Sequence, residues 1–209
     1  MRLSAGAACA RQPREVDSAL VRESSGAYRS TNDRGKWETI MDSRLQRLLD
    51  EADIRQVHLR YCRGIDRMDF DLVRSCYHPD AIDRHGAYEG DIEGFIKWAA
   101  ELLPMFESTM HFTGNQYVQV NGDVGYAEHY ARAFHRTRPK GDKPAADYVV
   151  NVRYIDRMER RNGEWRIADR MIAFESERTD PTDWTDAPPK FGYPSRRDKQ
   201  DPSYKYGIV

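Results

Sequence analysis

The sequence predicts an α+β domain, with helices first and a run of antiparallel strands after them. Three observations carry this. Between Leu45 and Leu103 the apolar residues recur at three- and four-residue steps, the period of a helix with one buried face. From Ser108 onward the pattern alternates with a period of two, as in half-buried strands. Asn-Gly pairs at Asn121-Gly122 and Asn162-Gly163 interrupt the alternating part where tight hairpins turn. Helices followed by hairpins place the helices over one face of a curved, mostly antiparallel sheet.

The first helix is expected to begin near Asp42 or Ser43, either of which can cap it. Leu45, Leu48, Leu49 and Ala52 form one apolar stripe, and Ile54, Val57, Tyr61 and Ile65 continue it on a shifted face. Gly64 lies near the expected end, where helices commonly stop. A second, short helix is capped by Asp69, carries Phe70, Leu72, Val73, Cys76 and Tyr77, and ends at His78-Pro79-Asp80. Ala81 to Tyr88 reads as a short strand or hairpin broken at Gly86. A third helix, capped at Asp91, buries Ile92, Phe95, Ile96, Ala99, Leu102 and Leu103 and is stopped by Pro104. Ser108–Val120 and Val124–Arg136 are paired strands, Arg138–Pro144 is a loop, and Ala146–Arg160 and Trp165–Glu175 form the last hairpin.

The chain's 33 Lys+Arg against 34 Asp+Glu give a net charge of −1, which supplies no field for nucleic acid or an anionic membrane. No apolar run approaches the ~20 residues that cross a bilayer. Mean hydropathy is −0.84, and much of the polarity lies at the two ends of the chain. Residues 1–41 are Arg-, Ser- and Gly-rich and read as a disordered extension or a mis-called one with translation starting at Met41, an export signal being the alternative. Residues 42–177 form the domain. Residues 178–209 read as a Pro- and aromatic-rich arm that lies on its own domain or on a neighbouring subunit. Cys9, Cys62 and Cys76 match no zinc or redox spacing, so the latter two read as small buried hydrophobes and a reducing cytoplasm as the compartment.

One acid breaks a local rule. Asp66 closes the helix that ends Tyr61-Cys62-Arg63-Gly64-Ile65-Asp66, where the partial negative charge of a helix C-terminus disfavours a carboxylate. About 45 residues later, His111 stands in the first long strand. Imidazole is the usual base near neutral pH, and a carboxylate on its far nitrogen sets the tautomer and balances the charge it acquires. No serine or cysteine nucleophile in a recognisable elbow accompanies the pair. Solvated or backbone-satisfied roles for the two residues are the alternative. Tyr61 lies about 140° around the helix from Asp66, so both face one cavity only if the cavity wraps the helix end or the helix unwinds at Gly64. In the second long strand His129, Ala131, Ala133 and His135 share a face, which reads as a pocket wall or as a close helix contact. His78, Asp80, Asp83 and His85 match no metal-ligand spacing, and no metal is expected.

The order of elements, with the Tyr61–Asp66 helix end and the strand Met110-His111-Phe112-Thr113-Gly114-Asn115, resembles the SnoaL-like branch of the nuclear transport factor 2-like superfamily. The resemblance spans roughly Arg44 to Glu177 and implies a cone: a strongly bent sheet with about three helices closing a deep pocket. Within the branch, the chain is most similar to the hexachlorocyclohexane dehydrochlorinase, scytalone dehydratase and bile acid dehydratase group. That similarity implies Asp66 and His111 as a catalytic dyad, with Tyr61 or Arg170 as the group that donates to a departing hydroxyl, halide or oxyanion. His129, Ala133, His135, Phe95 and Trp98 would line the pocket. Two departures stand out: Tyr61 replaces a lysine of the dehydrochlorinase, and Ala133 falls where the bile acid enzymes carry an aspartate. The implied activity is a cofactor-independent lyase or isomerase acting on an apolar cyclic small molecule, in a homodimer or homotrimer. A non-catalytic binding or assembly protein of the same fold is the alternative.

Overall fold

The computed structural model describes the backbone of residues 31–41 and the whole of residues 42–182 and 191–208. Expectations for residues 1–30, including Cys9, and for residues 183–190 of the arm lie outside the described residues. The chain divides into two compact units, Met1–Met41 and Asp42–Val209. In the first, helical backbone runs from Thr31; everything below concerns the second.

Six strands form one mixed, open sheet in the order β2-β1-β6-β5-β4-β3. They are β1 (Tyr77–Arg84), β2 (Glu89–Asp91), β3 (Phe106–Asn121), β4 (Val124–Thr137), β5 (Ala146–Arg161) and β6 (Glu164–Pro181). Every neighbouring pair is antiparallel except β1 and β6, which run parallel. Register shifts in β3 between Thr113 and Gln116, and in β6 between Phe174 and Ser176 opposite Val152 and Asn151, bend the strands. The concave face collects alternate residues of each long strand. Helices α1 (Thr31–Arg67), α2 (Phe70–Ser75) and α3 (Ile92–Leu102) supply the rest of the core, in which Ile54, Val57, Tyr61 and Ile65 meet Val73, Phe95, Ala99 and Trp165.

The helices differ from expectation in instructive ways. Backbone helix is present well before Asp42, and α1 passes through Gly64 to end at Arg67. Its true stop is Met68, at φ 49°: the Met68 N–H donates to the Ile65 carbonyl at 3.2 Å and the Asp69 N–H to the Gly64 carbonyl at 2.8 Å. That double bond pattern around a left-handed residue is a Schellman stop. Gly64 serves close packing instead, because a Cβ there would lie 2.7 Å from Val73 Cγ2. Leu45, Leu48 and Leu49, expected in the core, are more than half exposed. Burial begins at Asp50, which accepts Trp165 Nε1–H at 3.0 Å, and follows the second stripe.

Asp69 and Asp91 cap α2 and α3 as their positions suggest, accepting from the Leu72 and Gly94 backbone. Tyr77 to Asp80 belong to strand β1 rather than to the end of α2. Gly86, at φ 75°, sits in the turn between β1 and β2. The first long hairpin turns one residue later than Asn121-Gly122: Asn121 pairs with Val124 across a Gly122-Asp123 loop. In the last hairpin both loop residues, Asn162 and Gly163, have positive φ, the geometry that matches strand twist in a two-residue turn. Strand β6 runs past Glu177 to Pro181. Arm residues 191–208 include a short 3-10 turn, Pro202–Tyr206, capped by Asp201.

Candidate active site

The helix end and the first long strand meet at Asp66. Its carboxylate, at the last turn of α1, is turned onto β3 and accepts three hydrogen bonds there. Thr109 Oγ1 donates to Oδ1 at 2.9 Å, the His111 backbone N–H donates to Oδ2 at 2.9 Å, and His111 Nδ1 lies 2.8 Å from Oδ1. Thr109 and His111 are two apart on β3 and so share its concave face. Burial pushes the Asp66 pKa up, but the His111 ring, the His111 backbone N–H and Thr109 outweigh it and hold the carboxyl below its usual range. Asp66 is therefore ionised at neutral pH. An ionised carboxylate accepts only, which places a proton on His111 Nδ1; in the neutral form of the ring Nε2 then carries the lone pair.

His111 lines a cavity of about 350 Å³ between the concave face and the helices, walled mainly by apolar and aromatic side chains. Strand register sets its layers. His111 pairs with Ala133 and Ala133 with Val150; Thr109 pairs with His135 and His135 with Tyr148. The small side chain of Ala133, between His111 and Val150, leaves open volume in front of the His111 ring. From the helices come Tyr61, Ile65, Phe95, Trp98 and Leu103. Tyr61 thus enters the cavity directly while Asp66 reaches it through His111. The 140° between them is absorbed because the carboxylate points to β3, with no unwinding at Gly64.

Of the residues expected in the pocket, Phe95, Trp98, Ala133 and His135 line it. The His135 ring stands edge-on to His111, with centroids 5.5 Å apart. Burial first, then the neighbouring His111, pulls its pKa down to about 4, so it is a neutral imidazole at physiological pH. His129 does not line the cavity. It is fully buried, stacked on Tyr154 at 4.8 Å and on His58 at 4.0 Å, and burial lowers its pKa to about 2.

Arg170 also lies behind the wall. Its guanidinium donates through Nε and Nη2 to the two Asp156 oxygens, both at 2.7 Å, and through Nη1 to the Tyr77 hydroxyl at 3.1 Å. It sits over the Tyr61 ring at 4.2 Å and the Tyr154 ring at 4.6 Å. Expected as a donor inside the pocket, Arg170 instead packs against the Tyr61 ring from behind the wall. Burial opposes its charge, but Asp156 more than compensates and raises its pKa. Burial is the largest cause of the raised pKa of Tyr61, which stays a protonated hydroxyl.

Sequence reading missed a second Asp–His pair on the same cavity. His85, just beyond β1, lines it, and its Nδ1 lies 3.1 Å from Asp83 Oδ1. Asp83 is completely buried and accepts the Tyr77 hydroxyl at 2.7 Å on its other oxygen. The two-residue spacing at a strand end was the available signal; grouping these residues with His78 and Asp80 as failed metal ligands hid it. A different trio, His58, His129 and Asp156, has potential ligand atoms within 4.8 Å of one another. Both Asp156 oxygens are engaged by Arg170, a cation already in place, so this cluster reads as a buried ion pair with stacked rings.

A sequence model of the SnoaL-like domain matches residues 46–171. No curated protein sequence matches the chain. Among solved structures, a type 2 hexachlorocyclohexane dehydrochlorinase (LinA) superposes with a TM-score of 0.60 at 20% identity, over 70% of this chain and 99% of that one. A putative scytalone dehydratase from Novosphingobium aromaticivorans gives 0.56 at 15% identity, over 66% and 90%. The Kfla4162 protein of Kribbella flavida gives 0.57 at 19%, over 62% and 93%. At these identities the likeness is one of fold.

Proposed function

Because the chain belongs to the SnoaL-like domain family, in the nuclear transport factor 2-like superfamily, we propose that it is a cofactor-independent lyase of the dehydratase or dehydrohalogenase type, or an isomerase using the same proton abstraction. Its substrate is an apolar cyclic small molecule. The observation that carries the reading is the 2.8 Å contact between Asp66 and His111 on the wall of an apolar cavity that Tyr61 also enters. The dehydrochlorinase and dehydratase named among the similar folds are consistent with elimination chemistry.

In this mechanism His111 Nε2 removes a proton from a substrate carbon, and Asp66 balances the imidazolium that forms. The C–H electron pair becomes the new double bond, and the leaving group departs from the adjacent carbon. A halide leaves as the anion, whereas a hydroxyl takes a proton and leaves as water. One group lining the cavity can supply that proton directly: Tyr61, a neutral phenol under the Arg170 guanidinium. His85, with Nδ1 turned to Asp83, can donate from Nε2 only as the imidazolium. For an isomerase, the same donors would stabilise the enolate oxygen. The cavity volume fits a ring system and its apolar walls exclude water, which strengthens both hydrogen bonds and charges inside. The proposed assembly is a homodimer or homotrimer, supported by the apolar outer face of the sheet described below.

A panel of cyclic hydroxy-, halo- and keto-compounds, screened by thermal shift and then by spectroscopic assay for a new conjugated double bond, tests this reading. His111→Ala is expected to lose on the order of 10²–10⁴-fold in turnover while remaining folded. A substrate turned over equally well by His111→Ala would overturn the mechanism.

A further inference from the structure

The arm lies beyond residues 46–171, the span that the family model matches, yet its contacts converge on the helix end that carries Asp66. On α1, Arg63 donates to Ser203 Oγ at 3.1 Å and to the Ile208 carbonyl at 2.6 Å, with its guanidinium 4.8 Å from the Tyr204 ring centre. Arg67 lies 3.5 Å from the Asp201 carboxylate. Asp69, the cap of α2, divides its oxygens: Oδ1 accepts the Leu72 backbone, and Oδ2 accepts Lys199 and, at 2.9 Å, the Tyr204 hydroxyl. These ties bracket Asp66 on both sides in sequence. A further tie goes to the cavity rim, where Arg197 Nη1 donates to the Leu103 and Phe106 carbonyls at 2.8 and 2.9 Å. Leu103 and Phe106 both line the cavity.

The arm is built to hold a shape while doing this. Asp201 is buried and accepts the backbone N–H groups of Arg196 at 3.0 Å and Ser203 at 3.1 Å, and Gly207, at φ 71°, closes the 3-10 turn.

We propose that residues 196–208 are a positioning strap for the Asp66–His111 pair, locking the last turn of α1 and the Leu103–Phe106 rim into one geometry. The proposal rests on the reading of that pair as the proton-abstracting unit. Fixing the α1 end fixes the carboxylate, and the carboxylate fixes the His111 tautomer. A shift of about 1 Å at such a pair costs on the order of 10²-fold in rate.

The test compares the full chain, a deletion of residues 196–209, and the triple substitution Arg197→Met, Lys199→Met, Tyr204→Phe, which spares α1 and α2. Spectra of the ¹⁵N-histidine-labelled proteins at neutral pH read the His111 Nδ1–H proton directly, and circular dichroism reports the fold. The full chain is expected to show a sharp, exchange-protected Nδ1–H. The triple variant, still folded, loses that protection and mixes tautomers. With a substrate in hand, its turnover falls on the order of 10–10²-fold while KM changes less. An unchanged, protected Nδ1–H in a folded strap variant would overturn the proposal, even if the deletion itself failed to fold. A full chain with a protected Nδ1–H and no turnover on any cyclic compound counts against elimination and not against the strap.

Discussion

Arg170 and His135 are charged or chargeable side chains that burial has turned to different uses. Arg170 is completely buried, and all its polar contacts run to Asp156 and Tyr77. Removing one partner of such a pair strands the other in a low-dielectric interior. Arg170→Met is therefore expected to lower stability by about 3–5 kcal/mol, read from urea unfolding. An unaltered urea midpoint would show that the ion pair contributes nothing to the fold. His135 and His129 are depressed to about 4 and about 2, from an unfolded value near 6.5. Below pH 6.5 the unfolded chain takes up protons that the folded chain refuses, so stability falls as pH drops through that window. His135→Gln is expected to flatten the fall between pH 6.5 and 4, followed as the urea midpoint against pH.

At the scale of elements, the junction of α1 and α2 positions the dyad, and two residues there show opposite designs. Gly64 lets the helices touch, with Val73 Cγ2 and the Val73 backbone N lying 2.7 and 3.1 Å from where a Cβ would stand. Because one of those atoms is backbone, Gly64→Ala should cost about 1–3 kcal/mol and shift the Asp66 end of α1. Met68, at φ 49°, holds a left-handed conformation that a side chain disfavours. Met68→Gly should relieve about 1 kcal/mol of that strain, seen as a rise in Tm. Several elements were legible beforehand because their signals are local. The Asp69 and Asp91 caps, the Asn162-Gly163 turn and the strand alternation all act within a few residues. Gly64, read as an end signal, is demanded by a helix that packs across it and not by the turn, which falls at Met68.

On the whole molecule, the convex side of the sheet exposes Phe112, Tyr117, Tyr126, Tyr130, Ile155 and Met171. Strand pairing sets Ile155 beside Met171, and Glu128 between Tyr117 and Ile155. Glu128, Arg153, Arg157 and Asp169 stand among them, with Arg153 bridging Glu128 and Glu175. An exposed face of large apolar side chains interleaved with charges of both signs suits contact between copies of one chain. Tyr126→Lys combined with Ile155→Lys is expected to convert the proposed homodimer or homotrimer to monomer in light scattering, without loss of the fold. A parent chain already monomeric at high concentration would refute the assembly. Among the described residues no helix is long and apolar enough to cross a membrane.

The Asp66–His111 pair came through the resemblance of two short motifs to a known family, whereas the class of fold and the order of its elements were determined by the sequence by itself. These are readable because periodicity, capping and turn chemistry are written in neighbouring residues. The tertiary structure alone decided which face each group serves. It turned Asp66 onto β3, placed His129 and Arg170 behind the wall rather than on it, and set His85 with Asp83 on the cavity. It left Leu45, Leu48 and Leu49 in solvent, and brought the arm from the far end of the chain onto the last turn of α1. Each of those outcomes depends on contacts between residues distant in sequence, where strand register and close packing, and no local preference, set the result.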